Sequence, residues 1–279
     1  MPDWAAILED LGVAGETPRP VSGGDISAAW RVGDLFLKTG PESSFDMFSA
    51  EAEGLAELAA AGAVRVPGVV ACNTVTGTAF IAAQWLELGR ATRETEARLG
   101  KGLARLHQVT RDRFGWHRDN TIGLTPQHND WSDDWVTFFK EQRLGFQLEL
   151  AAKNGFTGDL QAQGARLLKR LPVFFEGYAP RPALLHGDLW GGNWGSCDGE
   201  PVIFDPAVYY GDPESDLAMT RLFGGFGPAF YEAYATLMPP ASGSHDRSDL
   251  YQLYHVLNHL NLFGSAYLGR AQELMGRLL

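Results

Sequence analysis

Cysteine is nearly absent. Only Cys72 and Cys197 occur among 279 residues, far apart. That is neither a zinc set nor a disulfide framework, and a reducing cytoplasm is the expected compartment. Basic residues are also scarce: 23 Lys and Arg stand against 34 Asp and Glu, a formal net charge of −11. A chain of this sign lacks the cationic field that phosphate backbones and anionic lipid surfaces attract, so neither nucleic acid nor membrane is an expected partner. No run of about 18 apolar residues exists to span a bilayer. The opening Met1-Pro2-Asp3-Trp4 has no basic or apolar leader region, so no signal peptide is expected. Lysine is restricted to positions 38, 101, 140, 153 and 169, so one of them in an apolar strand stands out.

What is present is ordinary for a folded protein: 45% apolar and 20% charged residues, in a length that suits one large domain or two modest ones. The texture changes along the chain. Val21 to Ser27 is a glycine turn between extended runs, and Trp30-Arg31-Val32 and Leu35-Phe36-Leu37-Lys38 flank the hairpin signal Gly33-Asp34. Phe48 to Ala61 has helical spacing with Gly62 as its stop, and Val64 to Ala71 and Thr78 to Trp85 read as strands. After Gly89 the pattern is helical over 92–109, 133–153, 158–171 and most of 214–279. Residues 111–129 form a long loop, and strands are expected at Ala183–Leu185 and Pro201–Phe204. The expected architecture is α+β and bilobal. A β-rich lobe of residues 1–88 precedes a helical lobe of residues 89–279, with a small-molecule cleft at the short connection near Gln84–Gly89.

The chemistry concentrates in Leu184-Leu185-His186-Gly187-Asp188-Leu189-Trp190-Gly191-Gly192-Asn193, followed by Val202-Ile203-Phe204-Asp205. Asp188 and Asn193 lie five apart in a glycine-rich loop, and Asp205 ends the next strand, which places three oxygen-bearing side chains at the ends of adjacent strands. Phosphoryl transfer needs such a set. One carboxylate orients a hydroxyl and accepts its proton; an amide oxygen and a second carboxylate hold Mg²⁺, a hard cation. Asp188 is read as the base, and Asn193 and Asp205 as the metal ligands. Asp and Asn also favour loops for local backbone bonding, but spacing and second strand agree here. Lys38 can reach ATP phosphates from its strand, steadied by Glu51 or by its neighbour Glu53, which points to another helix face. Gly23 and Gly24 can cradle phosphates through their N–H groups. Adenine is expected on backbone groups from Gln84 through Leu86 to Leu88.

The chain resembles the fructosamine kinase (ketosamine-3-kinase) family, within the aminoglycoside phosphotransferase-like group of the protein-kinase-like fold. Lys38, His186-Gly-Asp188, Asn193 and Asp205 carry the broad likeness. The narrower one rests on His186-Gly-Asp-Leu-Trp-Gly-Gly-Asn193 with Val202-Ile-Phe-Asp-Pro-Ala207, and on Asn120-Thr-Ile-Gly123 through Trp131, Trp135 and Arg143. Phe223-Gly-Gly-Phe226 and the His255–His259 helix add to it. The likeness spans about residues 20 to 270. It implies ATP- and Mg²⁺-dependent phosphorylation of the C3 hydroxyl of ketosamines, small or protein-bound. The unstable 3-phosphate then sheds the amine, which amounts to deglycation. A kinase for another amino alcohol, an aminoglycoside or a choline-like amine, is the alternative within the fold. Pro206-Ala207 after Asp205 replaces the Phe-Gly of protein kinases, so no activation-loop switch is expected, and a monomer is the default.

On the substrate side, Trp190 is expected to stack on the sugar, with His186, Asn120, Trp131, Asn258 and His259 along the same pocket. His255 and His259, four apart on a helix, lack a third metal ligand and read as core or rim histidines. His107 reads as structural, bonding the catalytic loop region, and Asp216 as a cap or loop brace.

Overall fold

The computed structural model describes residues 2–21 and 27–279, so the expected phosphate-cradling Gly23 and Gly24 lie outside the described residues. Helix α1 (Trp4–Asp10) and strands β1 (Arg19–Pro20), β2 (Ala28–Val32) and β3 (Leu35–Pro41) open the chain. The β2–β3 hairpin turns at Gly33-Asp34 in the expected register, Val32 opposite Leu35 and Ala28 opposite Thr39. Helix α2 (Phe45–Ala61) follows and stops at Gly62, whose φ of 61° no β-carbon favours. Strands β4 (Val69–Val75) and β5 (Thr78–Gln84) complete an antiparallel sheet ordered β1-β2-β3-β5-β4.

Alternation sorts this sheet into two faces. Val32, Leu37, Phe80 and Ala82 pack with Ile7 and Leu8 of α1, while Ala79 and Ile81 pack with Phe48 of α2. Lys38, one step from Leu37, therefore points to the α2 side. The run 64–71 begins its strand later than the sequence suggests, because Pro67-Gly68 interrupts it; Arg65 instead makes a lone bridge to Val202.

Helix α3 (Arg93–Leu106) is capped by Thr92 in a reciprocal capping box with Thr95. The stretch expected to be loop, 111–129, contains a small hairpin of β6 (Asn120–Ile122) and β7 (Thr125–Gln127). The expected helix over 133–153 is continuous but mixed: α4 (Trp135–Phe138), a π-helical segment Phe139–Gly145, and α5 (Phe146–Lys153). Helix α6 (Asp159–Arg170) leads to β8 (Ala183–Leu185), β9 (Trp194–Cys197), β10 (Glu200–Ile203) and β11 (Tyr209–Gly211). Helices α7 (Glu214–Leu222), α8 (Pro228–Ala235), α9 (Ser244–Phe263) and α10 (Leu268–Leu278) close the chain.

One expectation about these strands is corrected. β8 pairs with β11, and β10 pairs with β9, in separate two-stranded ribbons. The strands preceding Asp188 and Asp205 are therefore not hydrogen-bonded neighbours. The largest apolar core lies in the helical half, where Leu99, Leu103, Phe138, Leu184, Tyr251 and Leu257 are all fully buried. Among the described residues no helix is long and apolar enough to cross a membrane.

Candidate active site

β8 is buried on both faces, and it delivers the chain into a loop held almost entirely by backbone groups. His186 N–H and Gly187 N–H donate to the two oxygens of Asp216 at 2.8 and 2.9 Å. His186 O accepts from Ala207 N–H at 2.9 Å. Gly187 has a φ of 84°, and a β-carbon there would stand 2.0 Å from Ala207 O. Only glycine lets the two loops touch at this point.

Asp205 ends the second loop in the left-handed region, at φ 56°, which is uncommon for a residue other than glycine. Asn193 links the two loops. Its Nδ2 donates to Asp188 O (2.9 Å), Asp188 Oδ2 (3.2 Å) and Asp205 O (3.4 Å). That arrangement leaves the amide oxygen with no partner among the described residues, and Asn193 and Asp205 line the same cavity. Lys38 Nζ donates to Glu51 Oε1 and to Asp205 Oδ1, both at 2.8 Å. The lysine and Glu51 side chains are only 14% and 15% exposed, so the sheet and α2 hold this pair away from bulk water. Glu53 faces elsewhere, towards His117 and Arg118. Burial alone would lower the pKa of Lys38, but the Glu51 and Asp205 carboxylates outweigh it and keep the ammonium protonated. For Asp188, burial and then the Asp205 charge push the pKa well above the carboxylate range; the Asn193 N–H pulls weakly the other way.

A cavity of about 850 Å³ lies between the sheet and the helical half. Lys38, Glu51, Asp188, Asn193 and Asp205 all line it. So do Gln84, Leu86 and Leu88 at the connection between the halves. Trp85 N–H is tied to Asp34 O and Gly89 N–H to Ser196 O, both at 2.8 Å. Between these ties, the backbone polar groups of residues 86–88 have no partner among the described residues.

The substrate-side expectations divide. Trp190 and His259 line the cavity. The Trp190 ring lies over Gly192, where a β-carbon would meet it at 2.4 Å, which accounts for a glycine two positions after the tryptophan. Asn120 touches the cavity, but its amide is spent on structure: Nδ2 donates to Val208 O at 2.8 Å, and Oδ1 accepts from Gln127 and Asn129. His186 does not line it. The ring is fully buried, with Nε2 donating to Phe204 O at 3.0 Å and Nδ1 accepting from Asp188 N–H at 3.3 Å. Burial keeps this imidazole neutral, so it stitches the two loops together. Trp131 is also off the cavity, tilted over Tyr210 with ring centres 6.5 Å apart.

Two groups were not legible in advance. Phe223, Phe263 and Tyr267 join His259 and Trp190 in a contiguous aromatic part of the cavity wall. The Phe223-Gly-Gly-Phe226 motif was the available signal. Its Gly225 sits so close to Gly191 that a β-carbon would meet Gly191 Cα at 2.7 Å, and its Phe226 stacks on Trp194 at 5.6 Å. The other is the depth of the Asp216 network. His107 Nε2 is 3.1 Å from Asp216, and His107 Nδ1 is 2.8 Å from Tyr234 Oη. Both His107 and Asp216 are braces, as their sequence context suggests. His255 is buried with an unpaired Nδ1, and no cluster of potential metal ligands surrounds it among the described residues.

Comparison with known proteins agrees with this geometry. The sequence model described as fructosamine kinase matches residues 6–279. A probable ketoamine kinase of Synechocystis is 44% identical, covering 99% of this chain and 97% of its own. A chloroplastic protein-ribulosamine 3-kinase of Oryza sativa (subsp. indica) is 41% identical, over 91% of this chain and 76% of its own. The crystal structure of a presumed fructosamine-3-kinase of Haemophilus somnus superposes with a TM-score of 0.89 at 28% identity, covering 99% of this chain and 96% of the other. With a sheet-bearing N-terminal lobe, a helical C-terminal lobe and the cleft between them, the fold is the bilobal protein-kinase-like one, and the chain belongs to the fructosamine kinase family.

Proposed function

We propose that this protein is an ATP-dependent ketosamine 3-kinase, with residues 1–88 as the nucleotide-holding lobe and 89–279 carrying the base and the acceptor pocket. The observation that carries this reading is the meeting of Asp188, Asn193, Asp205 and the Lys38–Glu51 pair on one cavity wall. The names of the relatives, ketoamine kinase and protein-ribulosamine 3-kinase, support the acceptor class.

The residues present fit Mg·ATP. Asp205 and the free amide oxygen of Asn193 form the all-oxygen donor set that a hard cation prefers. Mg²⁺ held by these two oxygens would supply charge neutralisation to the phosphates. Lys38, kept protonated by its two carboxylates, offers a cation to phosphate oxygens. The unpaired backbone groups of residues 86–88 suit the adenine edge. Asp188 takes the C3 hydroxyl proton while the hydroxyl oxygen bonds to the γ-phosphorus and the bond to the β-phosphate oxygen breaks. Its raised pKa makes it a stronger base than a surface carboxylate. His186 and Asn193 fix its position, and the remaining work is alignment. Trp190 supplies a flat apolar face for the sugar.

The test is ATP consumption by the purified protein with Mg²⁺, offered a ribulosamine, a fructosamine and kanamycin in parallel. Turnover on a ketosamine followed by release of free amine is the expected result, and the rate ratio identifies the preferred sugar. Turnover on kanamycin alone would replace this reading by an aminoglycoside kinase.

A further inference from the structure

Residues 117–129 bond in two directions at once. The β6–β7 hairpin grips the chain just beyond Asp205: Asn120 Nδ2 donates to Val208 O at 2.8 Å and Gln127 Nε2 to Ala207 O at 3.1 Å. Tyr254 Oη, donating to Gln127 Oε1 at 2.7 Å, holds that amide from behind. Immediately before the hairpin, Arg118 reaches to the other lobe. Its Nη1 donates to Ser49 Oγ at 3.1 Å and to Glu53, and its Nη2 to Asp46. His117 Nε2 lies 2.7 Å from Glu53 Oε2.

Positions 46, 49 and 53 are three and four apart and share one face of α2. Glu57, four further on, accepts from Tyr210 Oη at 2.5 Å and Arg111 Nη2 at 3.2 Å. Between them Gly54 rests on the Asp205 loop, where a β-carbon would stand 3.2 Å from Val208 Cγ2. The same helix carries Glu51, the partner of Lys38. In protein kinases the corresponding lysine–glutamate pair is set by the position of its helix, which activation-loop phosphorylation controls. In this chain residues 117–129 contact both that helix and the Asp205 loop.

We propose that Arg118 is a positioning residue. By binding Asp46, Ser49 and Glu53 it makes residues 117–129 a strap that ties α2, and with it the Lys38–Glu51 pair, to the Asp205 loop. The inference rests on the assignment of Lys38 to phosphate binding made above.

Mg·ADP binding, measured by calorimetry, requires no acceptor and so separates this inference from the choice of substrate. Wild type, Arg118→Ala, Arg118→Lys and Glu53→Gln are compared for Mg·ADP Kd, for KM of ATP and for thermal midpoint. Arg118→Ala is expected to weaken Mg·ADP and raise KM about fivefold, the scale of a networked, partly exposed ion pair. Arg118→Lys should recover part of the loss. Glu53→Gln should shift both constants in the same direction, and combined with Arg118→Ala it should cost less than the sum of the two. A folded Arg118→Ala protein with wild-type Kd and KM, whatever its thermal midpoint, would overturn the proposal. Should that variant not fold, Glu53→Gln, which keeps shape and removes charge, decides by the same criterion. Wild type that binds no Mg·ADP would overturn the kinase reading itself, and the strap with it.

Discussion

Asp188, within the loop after β8, and Asp216, which braces that loop from α7, are treated in opposite ways. Asp216 is closed in: His107, His186 N–H and Gly187 N–H all converge on its oxygens. Burial raises its pKa, but the hydrogen bonds it accepts, that from His107 foremost, outweigh that, and the net shift is downward. Asp188 receives one side-chain N–H, from Asn193, and its pKa goes up. A carboxylate already holding three donors on its two oxygens has little left to offer a ligand. The loop spends donors on the aspartate that braces it and withholds them from Asp188, the proposed base.

The widest separation between the two should appear on removing their charges singly. Asp188→Asn is expected to lower turnover about 10²–10⁴-fold, the range of a lost general base, while Mg·ADP affinity and thermal midpoint stay near wild type. Stopped-flow or coupled assays with calorimetry would check it, and surviving turnover would displace Asp188 as the base. Asp216→Ala should do the reverse in stability. It strands two buried backbone N–H groups and a histidine, at about 1–3 kcal/mol each, so urea melts should show a loss of several kcal/mol.

His255 sharpens the contrast from the side of pH. Burial, then His259, holds its pKa down to about 3. The unfolded chain, with an ordinary histidine near 6.5, binds the extra proton first. This contribution to stability is therefore intact above pH 6.5 and is lost progressively as pH falls towards 3. Between pH 7 and 5 it amounts to about 2 kcal/mol. His255→Phe, which also removes the unpaired Nδ1, should flatten that part of the stability profile; equal acid sensitivity in both proteins would count against it. The smallest effect belongs to the aromatic wall. Trp190→Ala should raise KM for the ketosamine about tenfold and leave KM for ATP unchanged, because its ring belongs to the aromatic wall with Phe223 and is not among the groups proposed to hold ATP.

Local spacing made some of this site readable in advance. Lys38 stood out at the end of an apolar strand, and Glu51 lay nearly two turns into α2. Asp188, Asn193 and Asp205 were close enough in sequence to be taken as one group. What spacing did not convey was long-range pairing: nothing near Leu185 announces Tyr209 as its partner. The fates of Trp131 and His186 were hidden for the same reason. Each is decided by a residue far along the chain, Tyr210 for one and Phe204 for the other. The segment from Asn120 was informative as a resemblance, but its contacts to Val208 and Ala207 depended on the folded geometry.

At Gly187 the backbone passes within contact distance of Ala207, with no room for even a methyl group. The spacing of the Asp188 and Asp205 loops is thus set by a missing atom rather than by a side chain that could be lengthened or trimmed. Variation in acceptor can be explored by changing the far wall of the pocket. The spacing of the Asp188 and Asp205 loops has a fixed gauge, because any residue larger than glycine at position 187 would push Ala207 away.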